Sequence, residues 1–135
     1  MQFCLRLATL LLICSISWKV YPHGLSPPTI NSWVVDGVTI GEFSAANYYE
    51  SSTEYRLTAV TDEGVELSVF PKTLVLGPYL SRNITVFGEG LSQEKETTIY
   101  VCSTTTNKSE SGSVLNTRIC SQLRAMPKYK LTPTE

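Results

Sequence analysis

Few of the 135 residues are of the types that carry out covalent or acid–base chemistry, and their placement is informative. His23 is the only histidine, and it lies among Pro22, Gly24, Pro27 and Pro28, where no regular element would hold it against a serine and a carboxylate. Zinc requires several His, Cys or carboxylate ligands at fitting intervals, and no such spacing occurs. No glycine-rich phosphate loop opens a helix. These residues point away from an enzyme and from any cofactor or metal.

Two other groups can undergo chemistry. Cys102 and Cys120 are separated by 17 residues, while Cys4 and Cys14 fall within the first 17 residues. Asn83-Ile84-Thr85 and Asn107-Lys108-Ser109 are N-glycosylation sequons, a modification of exported chains.

The N-terminus supplies the context for both. Arg6 precedes an apolar run from Leu7 to Cys14, and Ser15 and Ser17 follow at the spacing of a processing site. The run is much shorter than the roughly 20 residues of a membrane helix. Residues 1–17 are therefore expected to be a secretory signal peptide, and the protein to be secreted or at the cell surface. Cleavage there would remove Cys4 and Cys14. The remaining pair, in an oxidising compartment, favours a Cys102–Cys120 bridge worth about 3 kcal/mol on the chain-entropy argument. Two free thiols, or pairing with another chain, are the alternatives. Removing Arg6 from the eleven basic residues leaves ten against twelve acidic ones, which is not the basic footprint of a nucleic-acid binder. No second apolar run of membrane length follows.

The elements that would position these residues read as strands. Residues 18–26 are an extended leader. Ile30–Val35 and Val38–Phe43 flank Asp36-Gly37, the pair favoured in a type I′ hairpin because both positions need positive φ. Phe43 is out of phase with Val38 and Ile40, which implies a bulge near Gly41 or a shifted register. Ser44–Ser52 is expected to be a surface loop. Tyr55, Leu57 and Ala59 alternate with polar residues; Val65–Val69, Thr73–Leu76, Arg82–Phe87 and Thr97–Cys102 bring the count to seven. Seven short strands without helical periodicity imply an all-β antiparallel sandwich. The expected core is Trp33, Ile40, Tyr55, Leu57, Val65, Leu67, Leu76, Ile84, Val86, Ile99 and Val101. Residues 106–135 turn polar and read as a linker or tail, which a Cys102–Cys120 bond would tether to the outward face of its strand.

The stretch from Leu74 to Thr104 is an alternating hairpin with Gly77-Pro78 at its entry and Gly88-Glu89-Gly90 in its loop. With Ile84, Val86, Ile99 and Val101 it resembles the last third of a fibronectin type III domain, and the resemblance covers most of residues 27–105. It implies an immunoglobulin-like fold and a role in binding an extracellular protein. By the same resemblance, the contact surface would be the loop Gly88, Glu89, Gly90, Leu91 and Ser92. This sequence has no Arg-Gly-Asp there, and Arg82 stands where the family usually has a corner tyrosine, with Tyr79 nearby. A small secreted inhibitor or signalling ligand, or a spacer domain of a larger membrane receptor, are the other functions this pattern accommodates. Made in a secreting cell, the protein is expected to carry glycans at Asn83 and Asn107, read as a mass shift that a glycosidase removes; a secreted product with no shift would refute this.

Overall fold

The computed structural model describes residues 23–108 and 114–128. The N-terminal run read as a signal peptide lies outside them. The described residues form nine strands: β1 (His23–Ser26), β2 (Thr29–Val34), β3 (Thr39–Asn47), β4 (Thr53–Thr61), β5 (Glu66–Phe70), β6 (Thr73–Leu76), β7 (Ser81–Gly88), β8 (Thr97–Lys108) and β9 (Val114–Pro127). They pack as an all-β sandwich. One layer is β1-β3-β7-β5; the other is β4-β8-β9-β2, with β6 and the start of β5 on the free side of β4. Because β5 pairs with β4 at Leu67 and with β7 from Ser68 to Phe70, it crosses from one layer to the other.

The two strands beyond the expected seven lie at the chain ends. The leader contains β1, which pairs with β3 from His23↔Asn47 to Ser26↔Ser44. Pro27 and Pro28 have no N–H to continue that ladder, and the chain moves to the other layer, where β2 runs parallel to β9. The residues read as a polar tail hold β9, a 14-residue strand. It pairs with β8 from Val114 to Ala125 and with β2 from Gln122 to Pro127. Leu123 and Ala125 from it are fully buried. The sandwich therefore extends well past residue 105.

Eight of the eleven expected core residues are buried: Tyr55, Leu57, Leu67, Leu76, Ile84, Val86, Ile99 and Val101. Ile40, Trp33 and Val65 are not, with exposures of 51%, 39% and 55%. The hairpin explains the first two. Asp36 and Gly37 have φ of 53° and 77°, as the sequence predicts, and Val35 and Val38 exchange backbone hydrogen bonds across the turn. That outward pair leaves Val34 and Thr39 facing in, so each strand is one residue out of the expected phase. A one-residue slip reverses every side chain. β3 then alternates without a bulge, burying Thr39, Gly41, Phe43, Ala45 and Asn47, and it occupies half of the expected Ser44–Ser52 loop. Val65 lies just before β5, at the end of the sandwich, where its N–H donates to Thr61 Oγ1.

Gly41 faces Leu123 across the core. A Cβ on Gly41 would stand 2.8 Å from Leu123 Cδ2, so the bare backbone lets the two layers close on that leucine. Replacing Leu123 with Ala is expected to cost about 2–5 kcal/mol, the range for an enclosed leucine. Urea unfolding should show this loss, and an Asn116→Ala control on the exposed face of β9 should not.

Candidate functional site

Alternation along β8 and β9 sends Tyr100, Cys102 and Thr104 to the outer face of the second layer, with Arg118, Cys120, Gln122 and Arg124 beside them. Cys102 and Cys120 stand directly opposite each other and are joined by a disulfide, with Cα atoms 4.0 Å apart. So close a spacing marks a non-hydrogen-bonded pair, whose backbone groups point away from the partner strand. The environments of the two cysteines differ. Cys102 is 1% exposed, although it has the outward phase expected for it, while Cys120 is exposed. The Arg118 guanidinium donates to Cys102 Sγ at 3.3 Å, and Thr58 of β4 lies on the other side of Cys102.

The same parity exposes an edge. Even-numbered residues of β9 direct N–H and C=O away from β8, as Gln122 confirms by donating its N–H to Pro28 C=O at 2.9 Å. β2 begins to pair only at Gln122. From Asn116 to Cys120, β9 pairs with β8 alone among the described strands. Beside this edge, a groove of about 490 Å³ on the outer face is lined by Glu54, Arg56, Thr104 and Asn116. Toward the other end of β9, Arg124 holds Glu96 at 2.7 Å. On the inner side Ile119 is half-buried against the core, and Ser121 Oγ donates to Leu25 C=O of β1.

At the end of the sandwich where β3 meets the β6–β7 connection, the core turns polar. Asn47 Nδ2 donates to the carbonyls of Ser51, Leu76 and Gly77, and its Oδ1 accepts from the Tyr49 N–H and the Tyr55 hydroxyl. Burial pushes the Tyr55 hydroxyl up to about 12 from 10.0, the hydrogen bond with the Thr53 side chain pulls it back, and Tyr49 raises it further.

The residues singled out from sequence are dispersed over the molecule. Asn83 is exposed on β7, opposite Ser44. Asn107 lies near the end of β8, paired with Leu115. The Gly88–Ser92 segment is anchored: Gly88 is buried, Leu91 packs on the core, and Leu91 N–H donates to Gly37 C=O at 3.0 Å. Glu89, Gly90 and Ser92 are exposed around it, and Ser92 Oγ accepts from the N–H groups of Glu94 and Lys95. Arg82 is exposed at the start of β7, and Tyr79 is an exposed turn residue with φ of 57°. Tyr55 is core, as expected, and Tyr48 covers Gly24 of β1. The β9 edge was missed, although Ile119, Leu123 and Ala125 alternate with Arg118, Gln122 and Arg124 in the manner of a half-buried strand. Among the described residues no group of three or more His, Cys, Asp and Glu could hold a metal ion, and no helix is long and apolar enough to cross a membrane.

No protein-family model and no curated protein sequence matches the chain. Solved structures do, and they share the immunoglobulin-like fold. In the Salmonella enterica structure of the SafA pilin in complex with the SafB chaperone, the match is 14% identical at a TM-score of 0.65 and covers 84% of this chain and 58% of that one. PapD-like domain 7 of human CEP192 is 11% identical at a TM-score of 0.59, covering 83% of this chain and 94% of that domain. WR4, a C. elegans MSP family member, is 13% identical at a TM-score of 0.55, covering 78% and 99%. The chain spans less than three-fifths of the chaperone-related chains it matches. These PapD-like and MSP neighbours overturn the fibronectin type III assignment. The seven-strand scheme had no place for β1 or for the parallel β2–β9 pair.

Asn47→Ala is expected to cost about 2–4 kcal/mol, because it removes five hydrogen bonds that converge on one buried side chain. The alkaline limb provides a second check. Since folding raises the Tyr55 pKa, its contribution is complete below about pH 10 and is lost as pH rises toward 12, by about 3 kcal/mol in all. Guanidinium unfolding at stepped pH should show this decline, and Tyr55→Phe should flatten it.

Proposed function

We propose that this chain is a protein-binding immunoglobulin-like module of an oxidising, extracytoplasmic compartment, and that it takes an extended segment of its partner on the β9 edge. The observation that carries the reading is the row of outward backbone groups at Asn116, Arg118 and Cys120, which no strand among the described residues pairs. An edge of this kind binds by adding a strand: backbone hydrogen bonds supply affinity and alternate side chains supply selectivity. Residues of the added strand that point inward would lie beside half-buried Ile119, and those that point outward beside Arg118 and the polar groove.

Three further features support it. The Cys102–Cys120 disulfide suits an oxidising compartment. One matched structure is a pilin in complex with its chaperone, so this fold serves protein binding elsewhere. A glycan at Asn83 would stand on β7 in the other layer and leave the β9 edge clear. The Gly88–Ser92 loop is the weaker candidate surface, since Leu91 is committed to the core.

Asn116→Pro tests the edge, because it removes one outward N–H without breaking the β8 ladder. Capture of partners from extracellular fluid should weaken about tenfold, the value of roughly one lost hydrogen bond. The melting temperature should hardly change. If Glu89→Ala with Ser92→Ala abolishes capture and Asn116→Pro leaves it intact, the loop is the surface and the edge is not.

A further inference from the structure

We propose that Cys120 is a thiol-exchange site: a small thiolate of the glutathione class enters the Cys102–Cys120 disulfide at the Cys120 sulfur, and Cys102 departs as a thiolate. Exchange is a displacement in line with the S–S bond, so its course depends on access to each sulfur and on how well the leaving sulfur bears charge. Both factors select the same direction here.

Access favours Cys120, which is exposed on β9, whereas Cys102 is almost wholly buried on β8. The bond runs across the two strands. A nucleophile aimed at Cys120 therefore approaches from beyond β9, where Asn116–Cys120 has no neighbouring strand among those described. Attack on Cys102 would have to come from the β4 side, where Thr58 is paired against it. Leaving-group stability selects Cys102. The Arg118 guanidinium already lies 3.3 Å from its Sγ, and a fixed cation beside a sulfur favours the thiolate.

In the step, the incoming thiolate forms a new S–S bond to Cys120 Sγ while the Cys102–Cys120 bond breaks, and its electron pair leaves on Cys102 Sγ. The thiolate is the only co-reactant. The product is a mixed disulfide on β9 with a thiolate paired to Arg118. This inference does not depend on the β9 edge accepting a partner strand.

Mapping after brief exposure of the folded protein to glutathione decides the matter. Samples are quenched in acid at early times, alkylated, digested and analysed by mass spectrometry. Glutathione is expected on Cys120 and the alkyl group on Cys102, in about tenfold excess over the reverse arrangement. Arg118→Gln should slow the initial rate about threefold or more, and Arg118→Lys, which keeps the charge, should recover most of it. Circular dichroism verifies that both variants are folded, and the wild-type map stands alone if either is not. The proposal is overturned by equal or reversed labelling, by an unchanged rate in folded Arg118→Gln, or by no adduct on the native protein at a glutathione concentration that modifies it in urea.

Discussion

Leu123 resting on the bare backbone of Gly41 sets how closely the two layers approach, and much of the remaining architecture follows from that contact. Leu123 can reach Gly41 only because β9 is held in the middle of its layer, by β8 along one side and β2 along the other. β2 in turn reaches β9 only because the chain leaves β3 at Pro27-Pro28 and changes layer. Both ends of the described chain thus converge on one strand. That strand brings two fully buried side chains, Leu123 and Ala125, to a core otherwise made from β1 to β8.

The two ends of the sandwich are closed differently. At one, Leu91 folds over the core and ties its loop to the Asp36-Gly37 turn. At the other, Asn47 joins three carbonyls, a backbone N–H and a tyrosine hydroxyl in one hydrogen-bonded hub. An apolar plug gains from removing surface from water and tolerates some change of shape. A polar hub instead requires each partner in place, since every unmet donor or acceptor in a dry interior carries its full desolvation cost.

The surface features with chemical potential collect on the outer side of the β8–β9 hairpin. An open edge, an asymmetric disulfide and a cation beside the buried sulfur all arise from the strand parity that places Arg118 and Cys120 on one face. Loops are the usual seat of binding on such scaffolds. In this chain the best-placed loop is anchored by Leu91, and the backbone left unpaired among the described strands lies instead along β9. The PapD-like and MSP neighbours share this fold at low sequence identity, so the particular chemistry of the hairpin belongs to this chain's own residues.

Local signals carried a good part of this. Period-two alternation marked β4, β6, β7 and the start of β8, and Asp36-Gly37 marked its turn, because strand pleat and positive φ are properties of a few adjacent residues. The parity of Cys102 and Cys120 foretold their bond. Local signals could not say which side of β2 and β3 was buried: Ile40 is as apolar as Phe43, and only the docking of Gly41 on Leu123 chooses between the phases. Nor could they show β9 as core, because a strand with an asparagine, a threonine, a serine, a glutamine and two arginines looks like a tail until its neighbours pair with its backbone. Alternation, turn chemistry and cysteine parity were therefore fixed by sequence alone. Strand phase, the ninth strand and the open edge were decided by which distant segments came together, since burial depends on neighbours far away along the chain.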